Sequence, residues 1–266
     1  MILKRCIEII EKEDNCDEFE EKGSCLQCVK DSFRSPNSDT YNCFKKLATY
    51  TVYYGTMYTS EIYHFLEQSK LLEKYFNNKK IINVLSLGCG VMLDKIALKH
   101  YIKNKEMNIN LSYKGYDIEP LWNEINFSED FETKNIVDGF DCREIDIIFM
   151  NKVFSTLKSN DLSNDFLDTF EKELKKLSSG SFVIFNDINR DTQGRDEFNY
   201  FALHNSLESI GHYFFNHEKE YTVFYTEIKN SKNMYNEHIK QILPDNFPFQ
   251  PKDEPSRTVF FLYRKI

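Results

Sequence analysis

The sequence contains no run of about 18 consecutive apolar residues, the length a membrane-crossing helix needs, so a membrane span is not expected. It also lacks the opening of a secretory signal: MILKRCIEIIEKED alternates apolar residues with charges, and no small-residue cleavage site comes after it. A cytoplasmic location is the corresponding expectation. Positive charge is in deficit, with 34 Lys and Arg against 42 Asp and Glu and a formal net charge of -8. Such a chain has no long-range attraction to phosphate backbones, which makes a nucleic-acid partner the less favoured expectation. Internal repeats, low-complexity tracts and long single-sign charge blocks are absent as well. The stretch from Lys70 to Lys80 carries four lysines and one Glu and reads as a solvated helix face or linker.

What is present suits a folded α/β protein. The 266 residues are 41% hydrophobic, enough for one large domain or a catalytic domain with a smaller attachment. The pattern changes near residue 80. Residues 1–80 show no strand series. Met1 to Glu13 has helical spacing through Ile2, Cys6, Ile9 and Ile10. Asp14 to Tyr41 is rich in Cys, Asp, Ser, Gly and Asn and reads mostly as loop. A helical stretch from Cys43 to Phe76 carries Tyr50, Tyr53, Tyr54, Tyr58, Tyr63 and Phe65, and Gly55 is a candidate break within it. Those aromatics suit packing between this segment and the domain beyond residue 80, with pocket lining as the alternative.

From residue 81 the chain alternates strands and helices. Strands are expected over Ile81 to Leu87, Asn110 to Ile118, weakly over Lys134 to Val137, then over Glu144 to Asn151 and Ser181 to Ile188. Helical patterns run through Val91 to Lys103, Leu162 to Leu177 and Glu197 to Ile210. Tyr221 to Ile228 and Arg257 to Tyr263 are two late strands, expected to pair as an antiparallel edge. Between them, Asn230 to Glu254 reads as an irregular insertion with three prolines. This alternation implies a mostly parallel sheet with helices on both faces.

The segment VLSLGCGVMLD, residues 84–94, carries the chemistry. An apolar strand delivers the chain to Gly88-Cys89-Gly90, and a helix begins at once. The two glycines allow backbone angles closed to other residues and close approach of a ligand. The helix start offers N–H groups and the positive end of a dipole, at the carboxyl edge where open α/β sheets bind ligands. A dinucleotide fingerprint would need a third glycine where Leu93 stands, and the Gly-Lys-Ser/Thr of a phosphate loop is missing. Asp117, in YKGYDIEP, ends the second strand, where a carboxylate accepts hydrogen bonds from ribose hydroxyls. The alternatives are a purely structural turn at Gly88 and Gly90 and a helix cap at Asp117.

LSLGCG and then YDIEP, with the acid 27 residues after Gly90, resembles the cofactor motifs of class I S-adenosylmethionine (SAM)-dependent methyltransferases. The resemblance covers roughly residues 81–266. It implies a Rossmann-like, seven-stranded, mostly parallel sheet with an antiparallel last strand; residues 1–80, outside the resemblance, read as a helical Cys-rich cap before it. It implies that Gly88, Cys89 and Gly90 lie beside the amino-acid part of SAM and that Asp117, with Ile118 next to it, holds the ribose. Asp94, in the first helical turns, either faces the cofactor or complements the helix dipole. Asp138, with Asp141 as rival, takes the adenine, and Asn151 lines the floor of the site. The Asn/Asp-Pro-Pro-aromatic motif of base and glutamine methyltransferases is absent, which leaves the acceptor open and favours a small molecule or protein.

Two further sets of residues are candidates. Five of seven cysteines lie in the first 43 residues, and Cys25 and Cys28 form a C-x-x-C pair, with Cys16 nine residues before and Cys43 fifteen after. Four thiolates from Cys16, Cys25, Cys28 and Cys43 would suit a structural zinc that fixes a loop-rich segment, with Cys6 and His64 as rivals for the fourth place and free thiols as the alternative. For catalysis, methyl transfer needs alignment and at most a base. Asn151, Asn186 and Asp187 come after strands on the right edge, and Tyr54, with Tyr53 and Tyr58, covers them from the N-terminal segment. His204, His212 and His217 are weaker candidates. Two competing readings are transfer of the aminocarboxypropyl group of SAM, as in nicotianamine-synthase-like enzymes, and a non-catalytic SAM-binding module.

Overall fold

The computed structural model describes residues 2–12, 23–32, 43–215 and 225–266. Eight strands form one sheet: β1 (Ile81–Leu87), β2 (Asn110–Asp117), β3 (Phe131–Thr133), β4 (Ile147–Asn151), β5 (Phe182–Ile188), β6 (Leu207–Phe215), β7 (Thr226–Glu227) and β8 (Thr258–Lys265). Their spatial order is β3-β2-β1-β4-β5-β8-β6-β7. β1 pairs in parallel with β2 on one side and β4 on the other, through Val84 opposite both Tyr113 and Ile147. The strand order therefore reverses at β1, and a crevice opens beyond its carboxyl end.

The last strand is antiparallel, as the family pattern implies, but it is not at an edge. β8 sits between β5 and β6 and is antiparallel to both. The helical pattern expected over Glu197 to Ile210 ends early, because Leu207–Phe215 is β6, the missing partner of β8. Pairing with β8 outweighs local helical spacing. β7 is a two-residue addition beyond the seven-stranded frame. Residues 221–224 of the expected late strand lie outside the described residues. β3 lies three residues earlier than expected, where Gly115 pairs with Phe131. The ladder ends one residue later, with Lys134 N–H donating to Asp117 O at 2.8 Å.

Residues alternate between two cores, as a two-residue period requires. Leu85, Leu87, Ile148, Met150, Val183, Phe185, Val259 and Phe261 face α8 (Phe154–Ser159), α9 (Ser163–Leu174) and α10 (Arg195–His204). Ile82, Val84, Phe149, Ile184, Phe260 and Leu262 face the other layer. That layer is built from α6 (Leu93–Asn104) and from N-terminal helices α1 (Ile2–Glu11), α3 (Phe44–Tyr50), α4 (Thr56–Ser69) and α5 (Leu71–Tyr75). Phe65 of α4 stacks on Phe260 of β8 with ring centres 4.5 Å apart and planes at 6°.

Gly55 does not break the N-terminal helix. Thr51–Gly55 is a π-turn between α3 and α4, and Gly55 keeps helical angles, φ -58° and ψ -40°. An added Cβ there would stand 3.5 Å from Leu93 Cδ2, so Gly55 is where this rod touches the start of α6. The chain actually turns at Lys70, which takes a left-handed φ of 52°. The C-x-x-C pair is helical rather than loop, within α2 (Cys25–Ser32). The insertion after β7 carries α11 (Asn236–Ile242), and its Asn233 is buried against α4, donating to Thr56 Oγ1 at 3.2 Å. No described helix is long and apolar enough to cross a membrane.

Candidate functional site

The turn after β1 is built on left-handed backbone: Gly88 has φ 67°, Gly90 φ 48° and Met92 φ 55°. Cys89 N–H donates to Tyr116 O at 2.9 Å, which pins the turn to the end of β2. Gly90 N–H donates to Asp117 Oδ2 at 2.9 Å, and Glu119 N–H donates to Asp117 Oδ1 at 3.1 Å. The glycine turn and the acid, 27 residues apart, thus form one wall. Each Asp117 oxygen has further lone-pair capacity for a ligand hydroxyl. Burial pushes the Asp117 carboxyl up to about 6, against the pull of the Glu119 and Gly90 amides.

A cavity of about 280 Å³ opens there. Gly88, Cys89, Gly90, Asp117, Ile118 and Asn151, all expected at the site, line it. Ile118 is 65% exposed, an apolar side chain held at the rim rather than in the core. Asn151 Oδ1 is buried without a hydrogen-bond partner, an unusual state for a polar atom. The approach at Gly88 differs from the expected one. A Cβ there would overlap Val153 Cγ2, so it is Val153 that comes close to the main chain. The Cys89 thiol is pushed well up by burial and then by the charges of Asp117 and Asp94, which removes it as a nucleophile.

Other expected site residues lie elsewhere. Asp94 is buried behind the turn, accepting from Tyr113 Oη at 2.9 Å. Asp138 is exposed and accepts from Asn135 Nδ2 at 3.1 Å, while Asn135 and Ile136 take the wall position meant for it. Asp141 is also at the surface, paired with Arg143 at 2.6 Å. Asn186 is buried between strands, donating to Val259 O at 3.2 Å. Asp187 is buried too and accepts from Ser155 N–H at 2.9 Å and Ile188 N–H at 2.8 Å, so it anchors the start of α8. Burial raises its pKa, and nearby Lys152 opposes that. Tyr54 stacks on Tyr58 at 5.5 Å, one ring behind the wall; Tyr50 is the tyrosine that lines the cavity, edge-on to Trp122 at 6.0 Å. His204 is exposed, and His212 packs on Phe261 at 4.3 Å; neither lines the cavity. His217 lies outside the described residues.

Several lining residues escape the motif reading: Trp122, Lys134, Asn135, Lys152, Val153 and Thr156. Trp122, the sole tryptophan, stands on the short α7 (Leu121–Asn126) directly after the acid motif, and Lys152 and Val153 come directly after β4. The rule that strand ends carry ligands was the available signal.

The zinc set does not come together. Among the described residues, no group of three or more His, Cys, Asp or Glu is placed to hold a metal. Cys16 lies outside them. Cys25 and Cys28 are buried on α2, and Cys43 precedes α3. Both rivals are engaged: burial pushes the Cys6 thiol up to about 12 despite its bond to Thr51, and His64 Nε2 lies 2.8 Å from Lys232 O.

No protein-family model matches the chain, and no curated protein does. Among solved structures, the plantazolicin methyltransferase BpumL, in complex with a monoazolic desmethylPZN analogue and SAH, aligns over 100% of this chain and 99% of its own, with a TM-score of 0.50 and 14% identity. The N-methyltransferase NodS from Bradyrhizobium japonicum WM9, in complex with S-adenosyl-L-homocysteine, aligns over 90% of this chain and 98% of its own, with a TM-score of 0.45 and 11% identity. A SAM-dependent methyltransferase from Archaeoglobus fulgidus covers 78% and 94%, with a TM-score of 0.44 and 16% identity. At such identities the likeness is one of fold. The chain has the Rossmann-like fold of the class I SAM-dependent methyltransferases.

Proposed function

We propose that this chain is a SAM-dependent methyltransferase. One observation carries the reading: Gly90, Asp117 and Asn151 converge on an open cavity at the carboxyl ends of β1, β2 and β4. In this reading Asp117 accepts the ribose hydroxyls, the Gly88-Cys89-Gly90 backbone flanks the amino-acid part of SAM, and Ile118, Asn135 and Ile136 border the adenine. Asn151 stands at the floor, its Oδ1 buried and unpaired within the protein. SAM brings an already activated methyl group, so this chain's residues have only to align an acceptor with it and exclude water.

The test is calorimetry with SAM and S-adenosylhomocysteine (SAH), and then mass analysis of turnover products. Saturable binding of both, with SAH as the product on an accepted substrate, is the expected result. Failure of either to bind the wild type defeats the reading. Methylthioadenosine in place of SAH would move the assignment to aminocarboxypropyl transfer.

A further inference from the structure

The floor of the cavity holds a feature that SAM binding does not use. Lys152, immediately after β4, lines the cavity and takes a left-handed φ of 58°. Such angles in non-glycine residues cluster at functional positions. Its ammonium donates to Thr258 Oγ1 at 2.6 Å and lies 3.5 Å from Glu61 Oε2. Glu61 is fully buried; its Oε1 accepts from Ser256 N–H at 2.8 Å and its Oε2 from Thr258 Oγ1 at 3.2 Å. Lys252 comes down from the insertion, 5.7 Å from the Tyr54 ring centre, and donates to Ser256 Oγ at 2.8 Å. Asp187, held by two backbone N–H groups, is the remaining charge near Lys152.

An ammonium has three donors. Thr258 and Glu61 take two of Lys152's, and the third can serve a group in the cavity. Among the described residues lining the cavity, Asp117 is the one carboxylate and there is no histidine. Asp117 stands at the end of β2, across β1 from the floor, and is committed to Gly90 and Glu119. The other lining cation, Lys134, is on the β2–β3 side, 4.9 Å from the Tyr116 ring centre. Among the described residues, the floor therefore offers a donor fixed by Thr258 and Glu61, and no carboxylate or imidazole beside it lines the cavity.

We propose that the acceptor reacts as an oxyanion, a carboxylate or acidic phenol, whose charged oxygen is held by Lys152 against the aromatic wall of Tyr50 and Trp122. This inference rests on the reading of the cavity as a SAM site. An oxygen lone pair of the acceptor forms the new bond to the methyl carbon as the bond from that carbon to sulfur breaks. Sulfur keeps that electron pair and becomes the neutral thioether of SAH. The negative and positive charges of the reactants cancel, no proton is released, and no base is needed.

The test uses SAH-loaded protein and three probes of one shape: phenylacetate, the neutral phenylacetamide and the phenethylammonium cation. Phenylacetate is expected to bind about tenfold or more tighter than phenylacetamide, the scale of a hydrogen bond to a charged group, with phenethylammonium weakest. Lys152→Met with Glu61→Gln removes both charges without orphaning either, and is expected to erase the preference. Lys152→Arg is expected to retain part of it. Glu61→Gln alone removes the competing counter-ion and is expected to tighten phenylacetate binding, which a purely structural pair would not do. Equal binding of the three probes, binding of none, or a preference that survives the double substitution would overturn the proposal. If SAH binds the wild type and the preference is absent, only this inference falls; if SAH does not bind, the reading beneath it falls too.

Discussion

The two ends of this sheet carry hollows of opposite character. The hollow at the amino end is the larger, about 550 Å³, and is lined by Lys114, Glu129, Asp130, Glu132, Arg143 and Glu144. Its charges are at the surface and partly paired with one another, as Lys114 is with Glu132 at 2.7 Å. The hollow at the carboxyl end is smaller, about 280 Å³, but it gathers a half-buried carboxylate, a left-handed glycine turn and the amide of Asn151. Size alone would select the amino end; the proposed site is the other, because polar groups with spare bonding capacity gather there beside a turn that leaves room for a ligand.

Substitutions at the two ends sharpen this contrast. The largest effect is expected from Gly88→Ala. The left-handed backbone costs about 1–2 kcal/mol for a residue with a Cβ, and the contact with Val153 adds about 1–3 kcal/mol of overpacking. Thermal unfolding should register the loss, and SAH binding should fall with it; an unchanged melting temperature would contradict the turn geometry. Next is Asp117→Ala, expected to weaken SAH binding by about 1–3 kcal/mol, the cost of losing hydrogen bonds to a charged group. Calorimetry showing equal affinity would remove the ribose contact.

A pH profile comes third. The folded Asp117 carboxyl sits near 6, above the ordinary value of 3.8, because of burial. The folded state thus holds this proton more tightly than the unfolded one. Its stabilising contribution is complete below about pH 4 and lost as the pH rises through about 6. Ligand binding runs the other way, since the ribose hydroxyls need the ionised form as acceptor. SAH affinity should fall as the pH drops through about 6, and Asp117→Asn should flatten that dependence. A wild-type profile flat from pH 5 to 7 would count against it. The smallest effect belongs to the amino end. Glu132→Ala breaks an exposed pair worth about 0–1 kcal/mol and should leave SAH affinity unchanged. Weakened binding there would erase the distinction between the two hollows.

The legible part of the site was the part written in contiguous residues. LSLGCG and YDIEP each combine strand end, turn and candidate ligand group within a few positions, so Gly88, Gly90 and Asp117 could be placed together, and they share one cavity wall. Asn151 was found because it ends a strongly apolar strand. Asp138 was misplaced because the short β3 starts earlier than its weak pattern suggested, which moved the wall position to Asn135. Asn186 and Asp187 were at a strand end, but their side chains turn into the sheet and toward α8. The first four residues of β6 were read as helix, and the rest of the strand went unread, because β8, its stabilising partner, lies some fifty residues away.

By itself, then, the sequence determined the alternation of strands and helices, the parallel sheet and the chemistry of the glycine turn and its acid. These depend on hydrophobic period and backbone freedom, which act over a handful of neighbours. Tertiary structure alone decided that β8 lies inside the sheet, that Tyr50 rather than Tyr54 lines the cavity, and that Glu61, Lys152, Lys252 and Thr258 meet. Those residues are separated by up to 197 positions, and what joins them is burial of charge against its partner, a long-range effect that no local pattern records.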